Sequence, residues 1–303
     1  MTTPRLSVAI CTHNPRAVYL TRTLAGLRVQ NLPASSWELL IVDNASNPAL
    51  TLDLSWHANA RIVREERLGL TYARQRAIAE TSAELLIFAD DDNIFAPNYL
   101  ATALEIASEW PILGAWGGQI APEWETPPPE WTRPYWKALA LRTFDRDRWS
   151  NVKGDPRAEP YGAGLCVRRC VANAYAQALR DDPRRCALDR TGTGLVSGGD
   201  TDFVHKACDL GFGTGIFARL HVTHLIPSAR LEESYLLRLI EALAYSQVVL
   251  DSLRGIVPPK PSRSQRLFDF YRNLHITVRD RRFLAARHRG RAKALAEIKA
   301  RAG

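Results

Sequence analysis

The sequence predicts an α/β fold built on a doubly wound, mostly parallel sheet flanked by helices. Two observations carry this: short apolar runs stop abruptly at polar residues, and stretches with helical spacing separate those runs. Leu6 to Cys11 (LSVAIC), Glu38 to Val42 (ELLIV) and Glu84 to Ala89 (ELLIFA) are continuously apolar at their centres, as strands buried on both faces should be. Between the first two, Val18, Leu24 and Leu27 recur near helical spacing; between the second and third, Leu70, Ala73, Ala77 and Ile78 do the same. Pro97 and Asn98 open a further helix that ends near Trp110. In such sheets ligands gather at the carboxyl ends of the strands, which directs attention to the polar residues that follow each run.

After about residue 115 the pattern loosens into a segment rich in Pro and Trp. Trp116, Trp124, Trp131, Trp136 and Trp149 surround the Pro127 to Pro129 run, and their faces suit either core packing or stacking on a pyranose. From Tyr161 a second ordered region brings Gly-rich turns, an acidic motif and a helix from about Glu232 to Leu253. Pro258, Pro259 and Pro261 then mark a linker. The expected organisation is one domain over 1–255, with a ligand-binding half at about 5–115 and a second half at about 116–255, followed by a linker and basic helical tail over 256–303.

The 303 residues, 46% of them hydrophobic, suffice for one large core or a core with a subdomain. Five cysteines, an odd number without paired close spacings, fit a reducing cytoplasm better than a disulfide framework. Met1 to Arg5 lead straight into the first strand without a signal-peptide pattern. Charges or prolines interrupt every apolar stretch before the roughly 18 residues a spanning helix needs. The expected location is therefore cytoplasmic. Of the net charge of +8, the segment from Arg263 to Arg301 supplies +9, with twelve Lys and Arg against three acids, so the rest is close to neutral. Such a tail reads as a solvated helix face or as a peripheral contact with an anionic membrane leaflet.

The chemistry concentrates in Asp90, Asp91 and Asp92, three carboxylates directly behind the run LLIFA. Their repulsion is costly without a cation, and a hard divalent ion such as Mn²⁺ or Mg²⁺ would relieve it while bridging to a diphosphate. A capped turn is the plainer alternative. His224, in HVTHLIP, reads either as a structural hydrogen-bonding residue, the commoner fate of a lone His, or as completing such a site, because an imidazole can join one carboxylate and two phosphate oxygens around the ion; His221 is a lesser candidate.

In this order the segments resemble the family 2 glycosyltransferases of the GT-A fold, over about residues 5 to 250. The first strand followed by Thr12, His13 and Asn14 looks like the family's opening motif, implying that Thr12 and Asn14 contact the nucleotide. Leu40 to Ser46 (LIVDNAS) looks like its second motif, whose Asp, here Asp43, is a base or ribose contact. Arg67, Leu68, Gly69 and Leu70 with Ala73 and Arg74 resemble the family's Gly-containing helix start, where the helix terminus and the cations Arg67 and Arg74 face phosphate; the family more often has Asn at the position of Arg67. Asp90 to Asp92 take the place of the DxD motif. The resemblance makes Asp92 the metal ligand and gives Asp90 and Asp91 to the nucleotide-sugar.

Tyr161 to Arg169 (YGAGLCVRR) and Ser197 to Asp202 (SGGDTD) resemble the acceptor-side small-residue turn and the ED motif. This implies acceptor contacts at Gly162, Gly164 and Gly199. Where the family has Glu and Asp, this chain has Gly199 and Asp200, so Asp200 keeps the position of the catalytic base. Asp202 competes for that role or contacts the acceptor, and either residue could instead cap the helix from Phe203 to Leu210.

The resemblance implies an inverting, metal-dependent glycosyltransferase of hexosyl type in glycan or polysaccharide biosynthesis. It would use a nucleotide-sugar donor, most commonly a UDP-sugar, and a glycan or lipid-linked acceptor. A nucleotidyltransferase lacks support, since no Gly-rich loop with a following Lys stands near the first strand. No G-x-G-x-x-G follows Leu6 to Cys11, which argues against a dinucleotide oxidoreductase. A noncatalytic glycan or nucleotide binder on a degenerate transferase fold is the rival from another class.

Overall fold

The structure, a computed structural model, describes residues 4–256, 262, 264, 271 and 275–302. The expected proline linker and the first part of the basic tail lie outside the described residues. Nine strands form one sheet in the order β3-β2-β1-β4-β8-β6-β9-β5, with β7 also on β9. They are β1 (Leu6–Thr12), β2 (Trp37–Asn44), β3 (Ala60–Glu65), β4 (Leu85–Ala89), β5 (Asn93–Phe95), β6 (Leu113–Trp124), β7 (Arg148–Ser150), β8 (Leu165–Arg168) and β9 (Gly213–Ile226). Pairing is parallel from β3 through β4 and between β6 and β9. β8 is antiparallel to both β4 and β6, and β5 and β7 are antiparallel to β9, so six of the nine strands share one direction. The sheet is mostly parallel, as the sequence predicts, with β5, β7 and β8 as the exceptions.

Burial on both faces explains the uninterrupted apolar runs. Leu6, Val8 and Ile10 of β1, Leu39 and Ile41 of β2, and Leu85, Ile87 and Ala89 of β4 enter one core. Their alternates Ala9, Leu40, Val42, Leu86 and Phe88 enter the other. The first core is closed by α1 (Ala17–Arg28), α3 (Tyr99–Glu109) and α6 (Glu233–Leu253), and the second by α2 (Leu70–Glu80), α4 (Arg169–Asp181) and α5 (Gly199–Asp209). The position near 115 expected to divide the two halves falls inside β6, so both halves share the sheet.

Of the tryptophans after residue 115, Trp116, Trp124, Trp131 and Trp136 pack in or against the first core, while Trp149 is about half exposed. Trp116 is fully buried, Trp124 lies 5.1 Å from Trp136 between ring centroids, and Trp110 sits 6.3 Å from Trp149. The basic tail forms α7 (Val278–Ala302), which packs along α6. Arg279 and Arg282 pair with Glu233, Arg289 pairs with Glu241, and Phe283 stacks on Tyr135 at 3.8 Å. Among the described residues no helix is long and apolar enough to cross a membrane, and all five cysteines are free.

Candidate active site

A cleft of about 390 Å³ opens where β1, β2 and β4 end, the position that doubly wound topology reserves for ligands. Thr12 ends β1 and Asn14 follows it, Asn44 ends β2, and Asp90, Asp91 and Asp92 follow β4; all line the cleft. From across the cleft come Gly162, Asp189, Arg190, Asp200, His224 and Arg230.

The acidic triplet is crowded, with Asp92 buried and Asp90 and Asp91 partly buried. Thr12 Oγ1 donates a hydrogen bond to Asp91 Oδ2, and Thr23 Oγ1 donates to the Asp91 carbonyl at 3.1 Å. Burial, reinforced by the charge on Asp92, pushes the Asp91 carboxyl up to about 7. Asp90 is raised for the same two reasons. Asp92 behaves differently. Burial opposes its charge too, but the basic groups around it, His224, Arg230 and Arg190, outweigh that and hold it well below the usual carboxylate range. Arg230 Nη2 lies 2.9 Å from Asp92 Oδ2 and His224 Nε2 lies 3.4 Å from it, while Asn93 Nδ2 donates to Oδ1 at 3.1 Å. β5 sets this up: Asn93 pairs with His224 across β5 and β9, which carries the imidazole to the carboxylate next to Asn93.

On the opposite wall Asp200 stands in the first turn of α5. Its Oδ2 accepts the Gly162 N–H at 3.0 Å and its Oδ1 accepts the Thr201 N–H at 3.1 Å. Gly162 has to be small: a Cβ there would lie 2.9 Å from Asp200 Oδ2 and 3.1 Å from Arg74 Nη2. Arg74, reaching up from α2, is buried and bound to Asp189 at 3.0 Å, and Thr71 Oγ1 donates to the same carboxylate oxygen. Burial works against the guanidinium, but Asp189 and then Asp200 outweigh it, so Arg74 stays charged. It is a fixed positive group behind the space between Asp90 and Asp200.

Other candidates stand back from the cleft. Asp43 is spent on the turn after β2, accepting from the Ser46 and Leu50 N–H groups and pairing with Arg64 at 2.7 Å. Arg67 is exposed, turned to Glu65 at 2.9 Å and stacked over Tyr72. Asp202 is buried on the far side of α5, bound by Arg185 at 2.5 and 2.7 Å and approached by Arg254 at 3.5 Å. Gly164 offers its carbonyl to Tyr99, and Gly199 backs onto Asp189, whose carboxylate a Cβ would strike at 2.2 Å. Asn14 lines the rim with φ +48°, its side chain accepting the Asn47 N–H at 2.8 Å. At the start of α2 the Gly69 N–H already goes to Asn44 and the Leu70 N–H to the Arg190 carbonyl, so those two amides are taken. The aromatic rings facing the cleft are Tyr19 and Tyr235.

Sequence reasoning passed over Asn44, Arg190 and Arg230. Asn44 is adjacent to Asp43 and buried, and it organises the turn at Gly69 from its side-chain oxygen. The two arginines lie in irregular segments, at the close of the 183–188 turn and in the turn Ser228–Leu231, where no periodicity marks direction. The only signal for Arg230 is a cation six residues beyond His224.

No group of three or more His, Cys, Asp or Glu placed to hold a metal ion occurs among the described residues. Asp92 and His224 do converge, and His224 Nδ1 is buried without a partner while Nε2 faces the cleft. That pair fits a hard divalent ion whose remaining ligands come from a bound diphosphate and water, and not a closed protein cage.

Residues 7–160, just over half of the chain, match the model of glycosyl transferase family 2. None of the curated proteins compared matches significantly. Among solved structures, S. aureus TarS residues 1–349 in complex with UDP-GlcNAc is similar, with a TM-score of 0.51 and 16% identity over 93% of this chain and 79% of that one. The same TarS fragment in complex with UDP gives 0.50 and 16%, over 96% and 88%. Against a further TarS crystal structure the TM-score is 0.50 at 16% identity over 80% of this chain, which spans only 40% of that chain's length. At this identity the likeness is one of fold.

Proposed function

Because the chain belongs to glycosyl transferase family 2, we propose that its cleft moves a sugar from a nucleotide-diphosphate donor to an acceptor hydroxyl with inversion at the anomeric carbon. The observation that carries this reading is the facing of two acidic groups across one cleft, the triplet at the end of β4 and Asp200 at the start of α5. A UDP-sugar is the favoured donor, since the TarS structures of similar fold hold UDP-GlcNAc and UDP. A glycan or lipid-linked hydroxyl is the acceptor class.

Asp92 and His224 would hold a divalent cation, Mn²⁺ or Mg²⁺, which would supply charge neutralisation at the departing diphosphate. Thr12 fixes Asp91 and so the triplet's turn, while Asn14 and Asn44 shape the nucleotide end. The acceptor oxygen attacks the anomeric carbon from the side of Asp200; the carbon–oxygen bond to the diphosphate breaks on the opposite face, and the hydroxyl proton passes to the Asp200 carboxylate. The Gly162 and Thr201 N–H groups hold that carboxylate in place, and Arg74 stabilises negative charge in the space between the two walls. Asp202, tied to Arg185, orients α5 and takes no part in the transfer.

A calorimetric screen of nucleotide-sugars with and without Mn²⁺, followed by turnover with the donor that binds, tests the reading. Donor binding strengthened by Mn²⁺, and turnover abolished in Asp200→Asn, would support it. Full turnover in a folded Asp200→Asn protein would refute the base assignment, and donor binding without hydrolysis or transfer across an acceptor panel would mark a noncatalytic binder. We also propose that Arg281, Arg287 and Arg291 of α7, which have no ion-pair partner among the described residues, meet an anionic leaflet. Cosedimentation with anionic but not neutral vesicles checks this.

A further inference from the structure

Arg230 stands where a cation bound to Asp92 would stand. Its two terminal nitrogens reach the two groups that would ligate the ion: Nη2 lies 2.9 Å from Asp92 Oδ2 and Nη1 lies 3.0 Å from His224 Nε2. A guanidinium only donates, so in the 3.0 Å contact with Arg230 Nη1 the His224 Nε2 atom accepts through the ring-nitrogen lone pair that a metal would use. The two acceptor atoms are 3.4 Å apart. A divalent ion bonds oxygen at about 2.1 Å, and so would fall in the space the guanidinium fills. Two like charges at that separation, away from bulk water, repel strongly. Arg230 and a metal ion at Asp92 exclude one another.

The surroundings let the side chain move. Arg230 sits in the short turn Ser228–Leu231, directly after β9, and its side chain is about one-fifth exposed. The turn is held by an exposed tether: Ser228 N and Oγ donate to Glu125, which pairs with Arg16 at 2.7 Å. Such a solvent-screened tether yields easily. A guanidinium released from Asp92 stays in the same cleft and matches a pair of phosphate oxygens in bidentate fashion.

We propose that Arg230 is an exchangeable counter-ion. Without donor it neutralises Asp92 and holds the divalent site closed; when a metal-bearing nucleoside diphosphate arrives, it gives up Asp92 to the metal and transfers to the diphosphate. Metal binding and nucleotide binding are then coupled through one side chain, each strengthening the other by the same factor. This rests on the metal reading proposed above.

The test is a titration of Mn²⁺, followed by electron paramagnetic resonance of the free ion, with and without UDP, on the intact protein and on Arg230→Gln and Arg230→Lys. Circular dichroism and thermal melting confirm that the variants are folded. In the wild-type protein Mn²⁺ alone should bind weakly and UDP should tighten it about tenfold or more. In Arg230→Gln, Mn²⁺ alone should bind about tenfold tighter than in wild type, UDP should bind more weakly, and the coupling should shrink; Arg230→Lys should fall between. Unchanged affinity for Mn²⁺ alone in Arg230→Gln, with UDP-dependent binding intact, would overturn the exchange while leaving the metal reading standing. Binding of UDP with no Mn²⁺ uptake in any protein would overturn the metal reading and the exchange with it. Loss of Mn²⁺ binding in Arg230→Gln would show that the guanidinium supports the ion and would also refute the exchange.

Discussion

At the end of β4, Asp90, Asp91 and Asp92 crowd together, and only Asp92 has an arginine within ion-pair distance; around α5, Asp189 and Asp202 are each clasped by arginine at 3.0 Å or closer. Asp92, Asp189 and Asp202 are buried, and Asp90 and Asp91 partly so. What separates them is charge balance. Around α5 each buried carboxylate has its own counter-ion and serves the fold. At β4 only Asp92 is ion-paired, and burial, with the charge on Asp92 added to it, drives Asp91 up to about 7. A protein keeps such an imbalance where something from outside supplies the missing positive charge.

The sharpest way to break this comparison is to neutralise one acid on each side. Asp92→Asn and Asp200→Asn should each reduce turnover by about a thousandfold, on the scale of a lost general base or electrostatic anchor, and Asp200→Asn, which breaks no ion pair, should do so with little change in melting temperature. Steady-state kinetics with the identified donor checks this, and retention of more than a tenth of wild-type turnover in either variant would count against it. Asp202→Asn should do the reverse. It leaves Arg185 and Arg254 without their partner and should cost about 3 kcal/mol of stability, read by urea unfolding, while turnover of the protein that remains folded stays near normal. A melting temperature unchanged by Asp202→Asn would erase the distinction drawn between the two groups.

The pH dependence of stability sharpens the same point. In the folded chain Asp91 keeps its proton up to about pH 7, whereas an unfolded carboxyl loses it near pH 4. Between those values the folded state binds the extra proton, so this residue's contribution is present at low pH and fades as pH rises through 7. The slope is at most about 1.4 kcal/mol per pH unit. In chelator, Asp91→Asn should flatten the fall in stability between pH 5 and 7 relative to wild type; parallel curves would show that Asp91 is not the group concerned. The smallest effect belongs at the rim. Arg16 and Glu125 are about half and one-third exposed, and removing Arg16 should shift stability by no more than about 0.5 kcal/mol, measured by the same unfolding experiment.

Much of the parallel half was legible in the sequence. β1, β2 and β4 write both of their faces into the chain as unbroken apolar runs, because each face meets its own core, and the residues that follow them sit at strand ends whatever the loops do. Thr12, Asn14 and the aspartate triplet all reach the cleft for that reason. Asp43 shows where this stops: the side chain of the last residues of β2 alternates across the sheet, and it is Asn44, one position on, that lines the cleft while Asp43 closes the turn. Arg67 was drawn aside by a carboxylate two residues away, Glu65, a local pairing that the motif-like spacing does not reveal. The tryptophans look the same in sequence whether they pack or bind; here Trp116 is swallowed by the core, Trp124, Trp131 and Trp136 pack against it, and Trp149 stays exposed.

The amino-acid sequence by itself determined the α/β order, the parallel strand ends and the acidic crowd at β4, since two-sided burial and strand-end position are properties of consecutive residues. Tertiary structure alone decided which acid of the Asp200 and Asp202 pair faces the cleft. Two residues apart on a helix stand about 200° apart around its axis, so the one that binds Arg185 and the one that meets Gly162 depend on how α5 is rolled against the sheet. The same holds for Arg190 and Arg230, brought to the triplet from more than 90 residues away in sequence, the first by the segment that leads into α5 and the second by the turn after β9. Charge balance at the centre of the cleft is a sum over groups that only the fold assembles.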